Sequence, residues 1–237
     1  MIPRVPDFGP APPPGLRLVH ADAALLILDK PSGLLSVPAK PPGPSDCLEA
    51  RVRAAFPEAL LVHRLDGDTS GLMVFARTRL AQRHLGWQFE RRQVEKTYVA
   101  VIAGVPAETE GVINLPLSKV SSAEDGWRMI GNVKGKHAVT RWRLIASRNG
   151  RSLIACFPET GRTHQIRAHL SEGLGLGILG DPVYGVPSIE TGAPMLLHAR
   201  SLTIPRGSKT PVSAIAPLPD RFAAAGFSEQ DLTDAGL

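Results

Sequence analysis

The sequence predicts an α+β fold built on a mainly antiparallel, mixed sheet. Apolar segments rich in β-branched residues recur along the chain, bounded by Gly, Pro, Asp and Ser, and their alternation has the period of half-buried strands. Helical spacing is confined to a few short stretches that do not alternate with strands as βαβ units do. A chain of 237 residues with 43% hydrophobic content is long enough to bury a substantial core, in one large domain or two small ones.

The elements follow in order. Residues 1–15 carry four prolines between Pro10 and Pro14 and no apolar run, so they predict an extended arm and neither a signal peptide nor a membrane anchor. Ala24–Asp29 (ALLILD) predicts a buried strand, stopped by the turn residues Lys30-Pro31-Ser32-Gly33. Pro38–Pro44 is a loop and Leu48–Phe56 a short helix. Leu60–Leu65 and Leu72–Ala76 predict strands flanking a polar turn, followed by a helix from Thr78 to about Arg91. In Arg92-Gln93-Val94-Glu95-Lys96-Thr97-Tyr98-Val99-Ala100-Val101 a charged helix end gives way to an alternating strand that holds Tyr98. Val112–Leu117, Arg128–Ile130, His137–Ala146 and Ser152–Phe157 alternate as sheet. A helix is expected after Gly161, with Thr163 as its cap and Ile166 and Leu170 four apart on one face. The glycine-rich connection Gly173–Gly180 then leads to a strand over Met195–Ile204.

Charge and cysteine content bound the function classes. The net charge of +5 and pI near 9.6 suit a polyanionic partner. Six basic residues (Arg77, Arg79, Arg83, Arg91, Arg92, Lys96) face only Glu90 and Glu95 between Arg77 and Lys96, mostly on the predicted helix, and such a face suits a phosphate backbone. Two cysteines, Cys47 and Cys156, make no CxxC pair and fit a reducing, cytoplasmic setting. No run reaches the ~20 apolar residues that a spanning helix needs.

Two polar stretches carry chemistry. In LVHRLDGDTSGLMVFAR (Leu61–Arg77), apolar runs bracket a turn that presents Asp66. Such an aspartate commonly caps its own turn through backbone amides. Asp68-Thr69-Ser70-Gly71 is also open to an aspartic-protease reading, but that chemistry needs a second carboxylate loop. The nearest are Glu159-Thr160-Gly161 and Glu190-Thr191-Gly192. An Asp66/Asp68 metal pair would lack the further oxygen ligands that hard cations require. The second stretch is Glu159-Thr160-Gly161-Arg162-Thr163-His164-Gln165-Ile166-Arg167-Ala168-His169-Leu170, a clustered basic helix. His164 and His169 are five apart, not the four of an HExxH zinc site, and no metal is expected.

His63-Arg64-Leu65-Asp66 with Thr69-Ser70-Gly71-Leu72 resembles the HRLD..TSGL motif of the RluA-type RNA pseudouridine synthases. GRTHQIR..H, the EKTY.A segment and KPSGLLSVP are similar to further motifs of that family, in the expected order, and the resemblance spans roughly Leu25 to Pro217. It implies a single catalytic domain over 16–220, with a mainly antiparallel mixed sheet bent around a central RNA-binding cleft, a Pro-rich arm over 1–15 and a C-terminal tail over 221–237. It implies the short form, without an added N-terminal RNA-binding module. It implies isomerisation of uridine to pseudouridine with Asp66 as nucleophile, Tyr98 stacking on the target base and Arg167 pairing with the aspartate. Arg64 would fill the space left by the flipped base, Ile166 and Leu197 would wall the pocket, and His63, Thr69 and Arg162 would join the substrate contacts. No cofactor is required. The implied partner is structured RNA, tRNA and/or 23S-type rRNA, acted on by a monomer. The chain differs from common relatives at Leu176-Gly177, where a His-Pro is usual, and at Pro194, where a basic residue is frequent. Two other classes stay open: a nucleoside or glycosyl hydrolase pairing Asp66 with Asp68 or Asp181, and an RNA-binding protein without activity.

Overall fold

A computed structural model describes residues 15–122, 126–186 and 193–237. The predicted arm lies outside the described residues up to residue 14, as does Glu190-Thr191-Gly192. In chain order the elements are β1 (Arg17–Ala21), β2 (Leu25–Lys30), α1 (Leu48–Ala55), β3 (Leu60–Leu61), β4 (Ser70–Ala76), α2 (Arg79–Glu90), β5 (Glu95–Ala103) and β6 (Glu110–Asn114). They continue as β7 (Leu117–Ser122), β8 (Gly126–Gly131), β9 (Val139–Arg148), β10 (Arg151–Pro158), α3 (Gln165–Ala168), β11 (Leu197–Arg206), β12 (Lys209–Ile215), α4 (Arg221–Ala224) and α5 (Glu229–Asp234). The chain forms two compact units, one of residues up to Glu95 with Ala199–Ala216, the other of Lys96–His198 with Pro217–Leu237.

In the first unit the strand order is β1-β2-β4-β11, with β12 on β11 and β3 on β4. β2 pairs antiparallel with β4 from Leu25↔Ala76 to Lys30↔Gly71. All seven residues of β4 are buried, so both faces of this strand are covered. One face gathers Leu25, Ile27, Leu72, Val74 and Ala76 with Leu85 of α2 and with Leu202, Ile204, Val212 and Ala214. Their alternates Leu26, Leu28, Met73 and Phe75 point the other way and are equally buried. Each such side chain contributes ~1.5–3 kcal/mol by leaving water. The helices end where their caps lie: the Cys47 sulfur accepts from the Ala50 N–H before α1, and Thr78 Oγ1 accepts from the Ala81 N–H at 3.1 Å before α2.

The second unit orders its strands β5-β10-β9-β6, every pair antiparallel, and β7-β8 form a separate hairpin. β9 and β10 are joined by Asn149-Gly150, both with positive φ (53° and 70°), the tight turn that matches strand twist. Alternate residues of β5 enter two cores. Ala100 and Ile102 meet Trp142, Ile154, Cys156, Ile166, Leu170 and Leu197. Val99 and Val101 meet Leu153, Leu196, Phe222, Phe227 and Leu232.

The α+β class with largely antiparallel pairing agrees with the sequence expectation. Several boundaries differ. The strand expected over Leu60–Leu65 is only Leu60–Leu61, because the following residues are drawn into the Asp66 turn. Val112–Leu117 splits into β6 and β7 at Leu115-Pro116, where a proline cannot donate to a ladder. The helix after Gly161 shortens to the four residues of α3, then widens into a π-turn over His169–Gly173 closed by the Leu174 N–H on the His169 carbonyl at 3.2 Å. Thr163 does not cap it: His164 holds that position at φ 51°, and the Gln165 side chain accepts from the Arg162 N–H at 3.0 Å. Residues 221–237 contain α4 and α5, with Phe222, Phe227 and Leu232 buried. No helix among the described residues is long and apolar enough to cross a membrane.

Candidate active site

The backbone around Asp66 is held from the end of β2 and the segment that follows it. Lys30 is 0% exposed, and its ammonium donates to the carbonyls of Pro31, Leu34 and Gly67 at 2.9, 2.7 and 2.8 Å. A buried ammonium is costly unless its protons are satisfied, and three carbonyls match its three donors. Ser32 Oγ donates to the Asp68 carbonyl at 2.6 Å, and the Gly33 N–H to the Gly67 carbonyl at 3.0 Å. Ser36 Oγ donates to the Leu65 carbonyl at 2.6 Å and accepts from the Leu65 N–H at 3.1 Å. The Thr69 N–H closes the turn on the Asp66 carbonyl at 3.2 Å. KPSGLLS thus grips the backbone on both sides of Asp66. The aspartate is half-buried, Arg64 before it is exposed and Thr69 after it is buried.

Two further residues of the motif serve the scaffold. His63 Nε2 accepts from the Val74 N–H at 3.0 Å, and its ring stacks on Phe89 at 4.5 Å between centroids. Gly71 has φ 111°, and a Cβ there would lie 2.3 Å from the Ala199 carbonyl oxygen. Only glycine tolerates both the conformation and the approach.

In the second unit β5, α3 and β11 bring Tyr98, Ile166 and Leu197 into one apolar cluster. Beside Ile166, Arg167 forms a buried two-point pair with Asp181, Nε to Oδ2 and Nη2 to Oδ1, each at 2.7 Å. The two side chains are 4% and 0% exposed. Burial opposes ionisation of Asp181, yet the Arg167 hydrogen bonds and charge, with the Val183 and Tyr184 N–H groups, hold its carboxyl below the usual range. The guanidinium lies over the Tyr184 ring at 5.3 Å. Tyr184 Oη accepts from the Met129 N–H at 2.6 Å and meets His164 Nδ1 at 3.1 Å. His169 bonds Thr140 Oγ1 at 2.9 Å and donates from Nε2 to the Leu115 carbonyl at 3.0 Å. Arg162 Nε donates to the His137 carbonyl at 3.0 Å.

Sequence reasoning singled out the residues of HRLD and GRTHQIR but missed those that hold them. Lys30, Ser32 and Ser36 stood in a motif with no assigned task. Gln165 and Tyr184 were likewise without one, and Asp181 was weighed only as a second hydrolase carboxylate; the only signal for Asp181 and Tyr184 was the run Gly180-Asp181-Pro182-Val183-Tyr184-Gly185.

Residues 24–172 match the family model described as RNA pseudouridylate synthase. The chain belongs to that family. An uncharacterized RNA pseudouridine synthase of Zymomonas mobilis is 46% identical over 213 residues, 89% of this chain and 97% of that one. The dual-specificity RNA pseudouridine synthase RluA of Escherichia coli is 37% identical over 200 residues, 84% of this chain and 90% of its own. Among solved structures, human RNA pseudouridylate synthase domain containing 4 superposes with a TM-score of 0.72 at 27% identity, covering 87% of this chain and 90% of that one. The protein is therefore an RNA pseudouridine synthase, an isomerase of uridine in RNA, of the RluA type.

The synthase offers little to the other chemistries weighed. Asp181 cannot act as the acid of a hydrolase while it is buried and ionised against Arg167. Glu159, the described alternative to a second protease carboxylate, pairs with Arg141 at 3.2 Å, and Thr160 Oγ1 donates to Gln165 Oε1 at 2.6 Å.

Proposed function

We propose that this synthase isomerises a uridine in structured RNA, a tRNA and/or a large-subunit rRNA hairpin, with Asp66 as its nucleophile. The observation that carries the assignment is the Asp66 turn itself, whose carbonyls at Leu65, Gly67 and Asp68 are fixed by Ser36, Lys30 and Ser32. A carboxylate held on a preorganised backbone and half open to solvent suits attack on a bound nucleotide. The relative from E. coli is named for dual specificity, which supports more than one RNA target. Two buried free cysteines support a cytoplasmic setting.

The reaction breaks the N1–C1′ bond, turns the base and joins C5 to C1′. One proton leaves C5 and one is gained at N1, so no redox partner or external energy is needed. Asp66 serves as an ionised carboxylate in each available route: attack at C1′, attack at C6, or proton abstraction on a glycal path. Taking the nucleotide from its stack costs a few kcal/mol. Tyr98 offers a stacking surface worth ~1–3 kcal/mol, with Ile166 and Leu197 beside it in the same apolar cluster. Arg167 is the cation that this reading assigns to the reaction, and Arg64, exposed next to the nucleophile, fills the vacated stack.

The test is pseudouridine mapping at single-nucleotide resolution on unmodified tRNA and 23S-type rRNA transcripts. Asp66→Asn should abolish the product while RNA affinity stays within a few-fold of wild type, and Arg64→Ala should lower the rate of productive flipping. Pseudouridine formed by Asp66→Asn at the wild-type rate would refute the nucleophile, and free uracil in the wild-type reaction would refute isomerisation.

A further inference from the structure

We infer that the exposed face of α2 is a second RNA-docking surface, in which Trp87 packs against the nucleic acid between arginines that take its phosphates. The inference rests on RNA being the substrate, but not on the assignment of Asp66.

The inner side of α2 is fixed. Leu85 is buried in the first unit's core, and the two glutamines bind backbone, Gln82 Nε2 on the Leu61 carbonyl at 2.8 Å and Gln88 Nε2 on the Pro205 carbonyl at 2.7 Å. On the opposite side Leu80, His84, Trp87 and Arg91 recur at intervals of four, three and four, so they form one stripe. Leu80 is 71% exposed and Trp87 43%. The Arg91 guanidinium lies 5.1 Å from the Trp87 ring centre, a cation–π contact, and the His84 ring is 6.2 Å away and nearly parallel.

At the start of the helix the charges on this face run against what the helix alone would favour. The first turn carries no acidic residue, although the helix dipole favours one there, and begins instead with Arg79. Arg79 and Arg83 are four apart, a like-charge spacing that disfavours a helix. Arg91 is followed by Arg92, which adopts φ 60°, an uncommon conformation outside glycine. Among the described residues no carboxylate pairs with Arg79, Arg83, Arg91 or Arg92. Local rules broken together on one exposed face point to a role outside the fold. An aromatic ring among unpaired arginines is the combination that binds nucleic acid without reading its sequence, by stacking and by phosphate neutralisation. A helix stripe of eleven residues' rise, about 16 Å, is long enough to follow several phosphates.

The experiment measures binding of an unmodified tRNA transcript across a series of salt concentrations, together with the rate at saturating RNA on whichever transcript the wild type modifies. The double variant Arg83→Ala/Arg91→Ala should raise Kd about tenfold at 0.1 M salt and reduce the slope of log Kd against log salt by about two, since each neutralised phosphate contributes close to one. Its kcat and thermal midpoint should match wild type. Trp87→Ala should weaken binding several-fold, and Trp87→Phe should restore it. The control Lys40→Ala/Lys209→Ala removes equal charge from other exposed positions and should leave Kd within twofold. An unchanged slope in the Arg83/Arg91 variant, or an equal loss in the control, would overturn the surface. Absence of pseudouridine in the wild-type reaction would instead count against the activity, and the binding series would still decide this inference.

Discussion

At the scale of single residues, the synthase uses ionisable groups for structure as much as for chemistry. Lys30 shows why this was illegible: in a sequence a lysine before Pro-Ser-Gly reads as a turn residue at the surface, yet three backbone carbonyls make it fully buried. Asp66 and Arg167 stood out because their neighbours form a long motif, whereas Asp181, just past the glycine-rich connection, has no periodicity to place it and was weighed only as a hydrolase carboxylate. His169 gives a testable consequence. Burial lowers its pKa below the ordinary 6.5, against the smaller opposing effects of its bond to the Leu115 carbonyl and the Glu172 charge. The folded protein therefore keeps the imidazole neutral at a pH where the unfolded chain takes a proton. This contribution to stability is full above about pH 6.5 and is lost as pH falls through that value toward the depressed folded pKa. Urea unfolding at steps from pH 8 to pH 5 should show a decline in wild type that is shallower in His169→Gln. Parallel declines in the two proteins would show that another group is responsible. Asp181 acts in the same direction at lower pH. Its folded carboxyl is held below the usual 3.8, so its contribution is present above that value and fades only in stronger acid.

At the scale of elements, strands with a clear pattern were legible and elements defined by distant partners were not. β2, β4, β5, β9 and β10 are apolar or alternating on their own evidence. β12 contains Pro211, which demotes a strand in sequence, yet among the described residues it pairs with β11 alone and tolerates proline there. The C-terminal helices were hidden by spacing: Phe222, Phe227 and Leu232 are five apart, which fits no single helix face, and Gly226 breaks the run. In the structure α4 and α5 are short, and these three side chains converge on the core shared with Val99, Val101, Leu153 and Leu196. The Arg148 guanidinium reaches Asp231, which also completes the capping box with Ser228. Each buried Phe or Leu contributes ~1.5–3 kcal/mol, so together they approach the 5–15 kcal/mol by which whole domains are stable. A chain ended at Ala216 should lose several kcal/mol in urea unfolding and expose apolar surface that binds a hydrophobic dye. A truncated protein with an unchanged midpoint would return residues 221–237 to the status of a tail.

At the scale of the whole molecule, the chain is not laid out as two successive modules. The first unit takes its strands from both ends of a long excursion: β1 to β4 come before Glu95, and β11 and β12 return more than a hundred residues later. Reading along the chain cannot reveal this, because a strand's apolar face records that it is covered and not by what. The dependence is concrete. Of the twelve buried residues in the core beneath β4, five (Leu202, Ile204, Val212, Ala214 and Ala216) arrive with the returning hairpin. Gly71 is shaped for that return, since its missing Cβ is what lets the Ala199 backbone approach. A fragment of residues 1–95 keeps α1, α2 and the whole Asp66 turn with its Lys30 anchor, but it strips those five residues from one face of β4 and leaves an unpaired edge beside it. The lost burial exceeds what a small sheet can spare, as short domains hold little stability in reserve. The fragment should therefore show no cooperative transition in urea by circular dichroism, although every residue of the HRLDGDTSGL motif is present. Cooperative unfolding of the isolated fragment would mean that the local grip of KPSGLLS on the turn suffices to fold it. Its absence would mean that the Asp66 turn is built locally and stabilised only once β11 has come home.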